Sequence, residues 1–382
     1  MNYTYGEKLK LTIFGESHAR AIGGIIEGLP AGTFIDEEAL SLHMKRRAPG
    51  KSSLTTQRAE RDKVEILSGC MKGKSTGTPL GFIIENQDAR SADYEKLRRL
   101  LRPGHADYTA YAKYKGFQDH RGSGGFSGRI TAPLHFAGGI ALQMLKERGI
   151  MIFAHILSLG QARDHSFASI GLDRCLDTNF LSAFQNRLQT DLLPTLSDAS
   201  AQAMEKEILS AQQTKDSIGG VVECGIFGIE AGVGGGFFSS VESRLASLCF
   251  SIPAVKGIEF GAGFDIARMK GSEANDIMRV EEEIEPEKLS LSEKLSLITH
   301  ESNRSGGIIG GITNGMPVVF RCAVKPPASI AREQRTVDID SMRTTTLHIE
   351  GRHDPSIVPR LLPVLESAAA FCIMDLLLSE DR

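Results

Sequence analysis

The chain has 382 residues, 41% of them hydrophobic, with a formal net charge of -3 and a pI near 6.4. That length and apolar share support a substantial core, in one large domain or two intertwined halves. A slightly acidic chain has no global attraction for polyphosphates, so nucleic acid is not expected as a partner and any anion affinity must be local. The six cysteines, Cys70, Cys175, Cys224, Cys249, Cys322 and Cys372, are scattered, form no C-x-x-C pair and read as reduced core residues. Lys8, Lys10, Glu16 and Arg20 interrupt the first 25 residues, which therefore read as neither signal peptide nor transit sequence. No apolar run reaches the roughly 18 residues of a bilayer span. The expectation is a soluble cytoplasmic protein with no membrane partner.

In chain order, β-like runs are predicted at 9–14, 23–27, 63–67 and 81–85, separated by Gly, Pro and Asn. A helix follows at 131–147, then a polar stretch at 164–215 without strand-like runs. Strands resume at 219–227 and 316–324, and a second long helix occupies 355–378. Both long helices are apolar on more than one face, which predicts packing on several sides. The Glu- and Lys-rich segment 281–294 reads as a solvated helix or loop. The phrase Ile22-Gly23-Gly24-Ile25-x-x-Gly28-x-Pro30 returns as Ile309-Gly310-Gly311-Ile312-x-x-Gly315-x-Pro317. One domain over 1–382 is predicted, with possible pseudo-repeat halves at about 1–165 and 215–382; chance recurrence of glycine-rich strands is the alternative.

Four regions carry chemistry. Gly15-Glu16-Ser17-His18 ends an apolar run and sets a hydroxyl and an imidazole on a short turn, where imidazole can exchange protons near neutrality. Between Lys45 and Lys63, seven cations (Lys45, Arg46, Arg47, Lys51, Arg58, Arg61, Lys63) face two acids (Glu60, Asp62), a local balance of +5. Arginine pairs with carboxylate and phosphate through a planar fork, so this reads as a shaped loop for a small polyanion rather than solvated charge. Arg102-Pro103-Gly104-His105-Ala106-Asp107 continues to a glycine-rich loop, 121–131, that enters a helix and suits phosphate. The loop lacks Walker spacing; a connector capped by Ser127 or Thr131 is the bland alternative. Lys325-Pro326-Pro327-Ala328-Ser329-Ile330 joins Gly351-Arg352-His353-Asp354-Pro355, where Asp354 reads by default as a helix N-cap and Arg352 and His353 as ligand-facing. His43, His135, His155 and His300 read as structural or exposed.

GESHARAIGGIIEGLPAG, RRAPGKSSLTTQRAE, NQDARSADY, RPGHADYT, SGRITA, SIPAVKG, NRSGGIIGGITNGMP, KPPASI and GRHDPSIVP stand in the order and approximate spacing of chorismate synthase, which the chain resembles from about residue 5 to 378. The resemblance implies an α+β fold, a β-α-β sandwich whose helices lie enclosed between two antiparallel sheets, assembled as a homotetramer. It implies 1,4-anti elimination of phosphate from 5-enolpyruvylshikimate 3-phosphate to give chorismate. Reduced FMN is implied as cofactor, supplied by an external flavin reductant, and no metal is implied. By motif, His18 would protonate the departing phosphate with Ser17 as a relay. His105 would lie at the flavin and favour its monoanionic reduced form. Asp354 would accept a proton near flavin N5, and Ser127 would join the proton relay. Arg46, Arg47, Arg58, Arg129 and Arg352 would clamp substrate or flavin phosphate. Gly125, Phe126, Ser127, Pro253, Ala254, Gly310, Lys325, Ala328, Ser329 and Arg352 would seat FMN.

The chain departs from many relatives of that family at Gly125-Phe126 (Arg-Ser), Ile130 (Glu or Met), Ala48 and Ser53 (Arg), and Ala328 (Ser or Thr nearby). Phe126 would pack on the isoalloxazine or cover its edge. Two other classes compete: a different phosphate-handling enzyme such as a transferase or kinase, and a non-catalytic flavin-binding or RNA-associated protein. The negative charge disfavours RNA.

Overall fold

The computed structural model describes residues 3–48, 50, 62–86, 98–280, 289–349 and 354–380. Arg58, Arg352, His353 and the 281–288 part of the acidic segment lie outside the described residues. Thr4–Tyr5 (β1), Lys10–Gly15 (β2), Ala21–Glu27 (β3), Val64–Ile66 (β4) and Leu80–Glu85 (β5) form an antiparallel sheet ordered β1-β2-β3-β5-β4. Met151–Leu159 (β6), Ala162–Arg163 (β7), Gly220–Phe227 (β8), Val255–Phe260 (β9) and Val318–Val324 (β10) form a second, ordered β9-β10-β8-β6-β7. Its pairings are antiparallel as well.

The main helices are Glu37–Arg47 (α1), Asp107–Tyr114 (α2), Thr131–Glu147 (α3), Thr178–Thr190 (α4), Asp198–Gln213 (α5), Val241–Ser251 (α6) and Val358–Glu380 (α7). Mixed helices and antiparallel sheets make this an α+β protein. Helix α3 packs on β2 and β3, α7 packs on β6 and β8, and α3 and α7 pack on each other. A helix touched from both sides cannot keep a polar stripe, which is why both are buried around most of their circumference. By composition α7 could cross a bilayer, yet its apolar window is 94% buried in the protein. Gly138 and Gly139 permit the close approach: a Cβ at Gly138 would lie 2.3 Å from the Ser367 carbonyl, and one at Gly139 2.8 Å from His43 and Leu40.

The six predicted strands appear within two residues of their expected bounds, and α3 matches its prediction. Strand β6 was not predicted. Its sequence does not alternate because both faces are covered, one by α7 and the other by Phe167, Phe227, Leu181 and Leu188. The polar stretch 164–215 holds two amphipathic helices, α4 and α5. In the acidic segment Leu291–Ser296 is an exposed helix opened by a Ser290–Glu293 capping box. The repeated phrase takes two conformations: Gly23 and Gly24 lie within β3, whereas Gly310 and Gly311 are the left-handed turn of the Ile308–Ile309/Ile312–Thr313 hairpin.

Charges inside the helical layer are each met by partners. Asp375, fully buried in α7, accepts the backbone N–H groups of Glu7, Lys8 and Leu9 and pairs with Arg244, fastening the N-terminal segment. Glu366 accepts the Ala154 N–H at 3.0 Å and pairs with Arg46, tying α7 to β6 and to the end of α1. These donors meet the hydrogen-bonding demand of two carboxyl groups taken out of water.

Candidate active site

The turn after β2 and the loop before α3 meet face to face. Ser17 and His18 are 1% and 6% exposed, and the Ser17 N–H donates to the Gly124 carbonyl at 3.1 Å. Gly122 lies against the imidazole so closely that a Cβ there would sit 2.0 Å from His18 Cε1 and 2.9 Å from Ser17 Oγ. Gly122, Ser123 and Gly124 all hold left-handed backbone, with φ of 56°, 77° and 53°. The peptide after Gly122 leads directly to Ser123, whose Oγ is 2.9 Å from His105 Nε2. One turn of chain therefore touches both histidines.

His105 is held by its own loop. Asp107 opens α2, where a negative side chain suits the helix dipole, and its carboxylate reaches back to the Arg102 N–H and to a fork of Arg102 Nε and Nη2, each of the latter at 2.8 Å. Asp107 Oδ1 also lies 2.7 Å from His105 Nδ1. Burial works to raise the Asp107 carboxyl, but hydrogen bonds from Arg102 and His105 override it and hold the group well below the usual carboxylate range.

The proposed flavin residues of the second sheet gather on this loop. Pro253 and Ala254 link α6 to β9; Ala254 has φ 78°, and its carbonyl accepts the Lys325 N–H at 2.9 Å. The Lys325 ammonium donates to the Gly104 carbonyl, and Ala328 Cβ is 3.7 Å from where a Gly104 Cβ would stand. Arg102 Nη1 reaches Ser329 Oγ at 3.4 Å. Gly125 and Phe126 are exposed beside it, Phe126 meeting Tyr114 edge-on at 6.3 Å. An ammonium, a hydroxyl and bare backbone on one rim are a donor set that suits a phosphate and a planar ring.

Arg46, Arg47 and Arg129 are engaged inside the protein. Arg46 forks onto Glu366, while Arg47 and Arg129 both pair with the buried Asp62. Ser127 Oγ accepts the Arg129 N–H at 3.3 Å, and Arg129 Nε donates to Asn86 Oδ1 at 3.0 Å. The Asn86 amide in turn donates to the carbonyls of Glu16 and Ala19, holding the turn that carries His18.

Asp354 is not the N-cap of α7, which starts at Val358; the Val358 N–H is met instead by Ser356 Oγ at 3.4 Å. The Asp354 carboxylate pairs with Arg360 at 2.5 Å, and Arg360 Nε donates to the Arg47 carbonyl. A Cβ at Gly128 would lie 3.6 Å from Ile357 Cδ1, so this segment abuts the loop of Ser127 and Arg129. Gly310 stands apart. Its hairpin meets Ser240 and Gly235, and the Gly234 N–H bonds Glu380 at the far end of α7. The 23-residue α7 spans about 34 Å, so one chain does not bring Gly310 to Asp354.

His18, His105, Asp354, Ser17, Ser127, Arg46, Arg47 and Arg129 thus form one chain of contacts with Lys325, Ala328, Ser329 and Ala254. Asn86, Asp62, Arg102, Ser123 and Arg360 hold that chain together, and sequence reasoning gave them no role. Asp107 and Arg102 were legible in principle, since an acid at the first turn of a helix five residues after an arginine can close that loop. Asn86 opens the motif NQDARSADY, which gave it no role of its own, and Arg360 left no local signal.

With this geometry in view, the likeness to known proteins is decisive. The profile of the chorismate synthase family matches residues 9–378. The chain belongs to the chorismate synthase family. It is 41% identical over 378 residues to chorismate synthase of Korarchaeum cryptofilum, covering 99% of this chain and 98% of that one. To chorismate synthase of Lachnoclostridium phytofermentans it is 42% identical over 376 residues, covering 98% and 95%. A crystal structure of chorismate synthase superposes with a TM-score of 0.74 at 26% identity, over 98% of this chain and 93% of that one. Membership makes this chain a carbon–oxygen lyase acting on a phosphate. Its reaction is the family's 1,4-anti elimination, from 5-enolpyruvylshikimate 3-phosphate to chorismate. The kinase and binding-protein alternatives are set aside.

Proposed function

We propose that the elimination takes place where Gly122 and Ser123 touch His18 and His105, with reduced FMN bound against Lys325, Ser329, Ala328, Ala254 and the 125–127 loop. That shared contact, one turn serving two histidines, is the observation that carries the reading. Reduced flavin, when bound, supplies electron density that assists C–O cleavage. The remaining work belongs to side chains. His18 delivers a proton to the departing phosphate, since a phosphate trianion leaves poorly until it is neutralised, and Ser17 lies beside it as a relay. Asp354 takes up the proton lost from the ring carbon, its carboxylate oriented by Arg360. His105 manages charge at the flavin edge.

Arg46, Arg47 and Arg129 supply positive potential to the substrate's carboxylates and phosphate, with Arg58 and Arg352 as further clamps. Walls formed by α3, α7 and the loops limit water, which strengthens each of these interactions. We further read the layers as the family's β-α-β sandwich, the chain as a single domain assembled as a homotetramer, and the setting as cytoplasmic with an external flavin reductant. The test is an absorbance titration of the protein with FMN under anaerobic reduction, before and after adding 5-enolpyruvylshikimate 3-phosphate. A substrate-dependent spectral change with phosphate release is the expected result. Turnover without flavin, or flavin binding indifferent to substrate, refutes the reading.

A further inference from the structure

Both ring nitrogens of His105 are occupied by the protein's own side chains, Nδ1 by Asp107 at 2.7 Å and Nε2 by Ser123 Oγ at 2.9 Å. Asp107 is held ionised by Arg102 and so only accepts. Nδ1 therefore carries a hydrogen, and in the neutral ring Nε2 is the bare nitrogen that accepts from the serine hydroxyl. Arg102 Nη2, 3.3 Å from Ser123 Oγ, donates to the same oxygen and turns its O–H toward the ring. An imidazole saturated on both sides has no nitrogen left to offer a ligand directly.

Ser123 also occupies backbone that a side chain rarely adopts. At φ 77° between two left-handed glycines, it bears a backbone cost that glycine would not. Strain of this kind persists where the side chain is wanted in place. The hydroxyl gained is half-buried on the turn that also covers His18.

We infer that Ser123 is the group that meets the ligand, and that His105 exchanges protons with the ligand only through the Ser123 hydroxyl. This rests on the reading that His105 serves the flavin chemistry, and names the atom through which it does so. When the ring is charged, Nε2–H donates to Ser123 Oγ and the serine proton turns outward. Proton delivery then moves one proton from Oγ to the ligand and one from Nε2 to Oγ. The serine ends unchanged and the imidazolium ends neutral, with no bond between heavy atoms made or broken. Proton uptake is the reverse. Asp107 and Arg102 are positioning residues, fixing the tautomer and the hydroxyl rotor.

Ser123→Gly is the variant of choice, because glycine removes the hydroxyl and relieves the backbone at once. In ligand-free protein labelled with 15N-histidine, wild-type His105 shows the Nδ1–H tautomer with a hydrogen-bonded Nε2, and the Nε2 resonance moves in the variant. In turnover with reduced FMN, Ser123→Gly and His105→Ala each lower kcat by about 10- to 1000-fold with KM little changed, and the double variant is no slower than the slower single. An unmoved Nε2 resonance overturns the relay. So does Ser123→Gly at wild-type rate beside a slow His105→Ala, which leaves the role of His105 standing. Wild-type rates in both variants remove that role as well.

Discussion

Acidification from pH 8 to pH 5 should weaken the fold through two histidines locked inside the helical layer. His43 and His135 stack with ring centroids 3.9 Å apart, and both reach Ser367 Oγ, at 3.0 and 2.8 Å. His135 Nε2 lies 2.9 Å from the His43 carbonyl, which can only accept, so that nitrogen carries the hydrogen. The Ser367 hydroxyl has one hydrogen and two acceptors within reach, the Pro363 carbonyl and His135 Nδ1, each at 2.8 Å, and its oxygen accepts from His43 Nε2–H. Burial favours the neutral form of both rings in this network. Burial pushes His43 down to about 3, with the Arg46 charge acting in the same direction, and burial together with His43 lowers His135 well below the ordinary value.

A depressed histidine contributes stability that is complete above the unfolded value near 6.5 and is lost as pH falls toward the folded one. For His43 alone, a folded value of about 3 makes the loss at pH 5 about 2 kcal/mol. His155 acts oppositely: burial would lower it, but Asp164 and Glu223 hold it raised, so its stabilisation is present at low pH and fades as pH rises. Urea unfolding of the wild type and of His43→Gln, whose amide keeps a donor for Ser367, separates the two because His155 is common to both. Relative to wild type, the variant should gain about 2 kcal/mol between pH 8 and pH 5. A stability difference that stays constant to within about 0.5 kcal/mol over that range would refute the neutral-ring network.

Three further outcomes follow from the site. Gly122→Ala drives a methyl group into His18, 2.0 Å from Cε1, and should reduce kcat by at least about 10-fold while far-ultraviolet dichroism stays native; an unaltered rate would mean the imidazole does not need its place. Asp354→Ala should slow elimination by about 10- to 1000-fold with FMN affinity nearly kept, and a change confined to melting temperature would show the Arg360 pair to be structural only. Asp62→Ala leaves Arg47 and Arg129 without the carboxylate they share, so denaturant unfolding should register a loss of about 3–5 kcal/mol; a loss under about 1 kcal/mol would show that other groups neutralise them.

What the sequence determined by itself is local or tied to motif. Period, run length and punctuation located β2, β3, β5, β8, β10 and the two core helices, because apolar runs of strand or helix length are set off there by Gly, Pro or Asn. The long motifs identified the family, and with it the residues to examine. Tertiary structure alone decided β6, whose alternation vanishes when both faces are covered, and it moved Asp354 from helix cap to partner of Arg360. It also decided that Arg46, Arg47 and Arg129 meet Glu366 and Asp62, that Ser123 closes on His105, and that Gly310 lies a helix length away from Asp354. Arg46 and Glu366 are 320 positions apart in the chain. No local pattern records such a pair, because folding alone brings the two side chains into reach of each other.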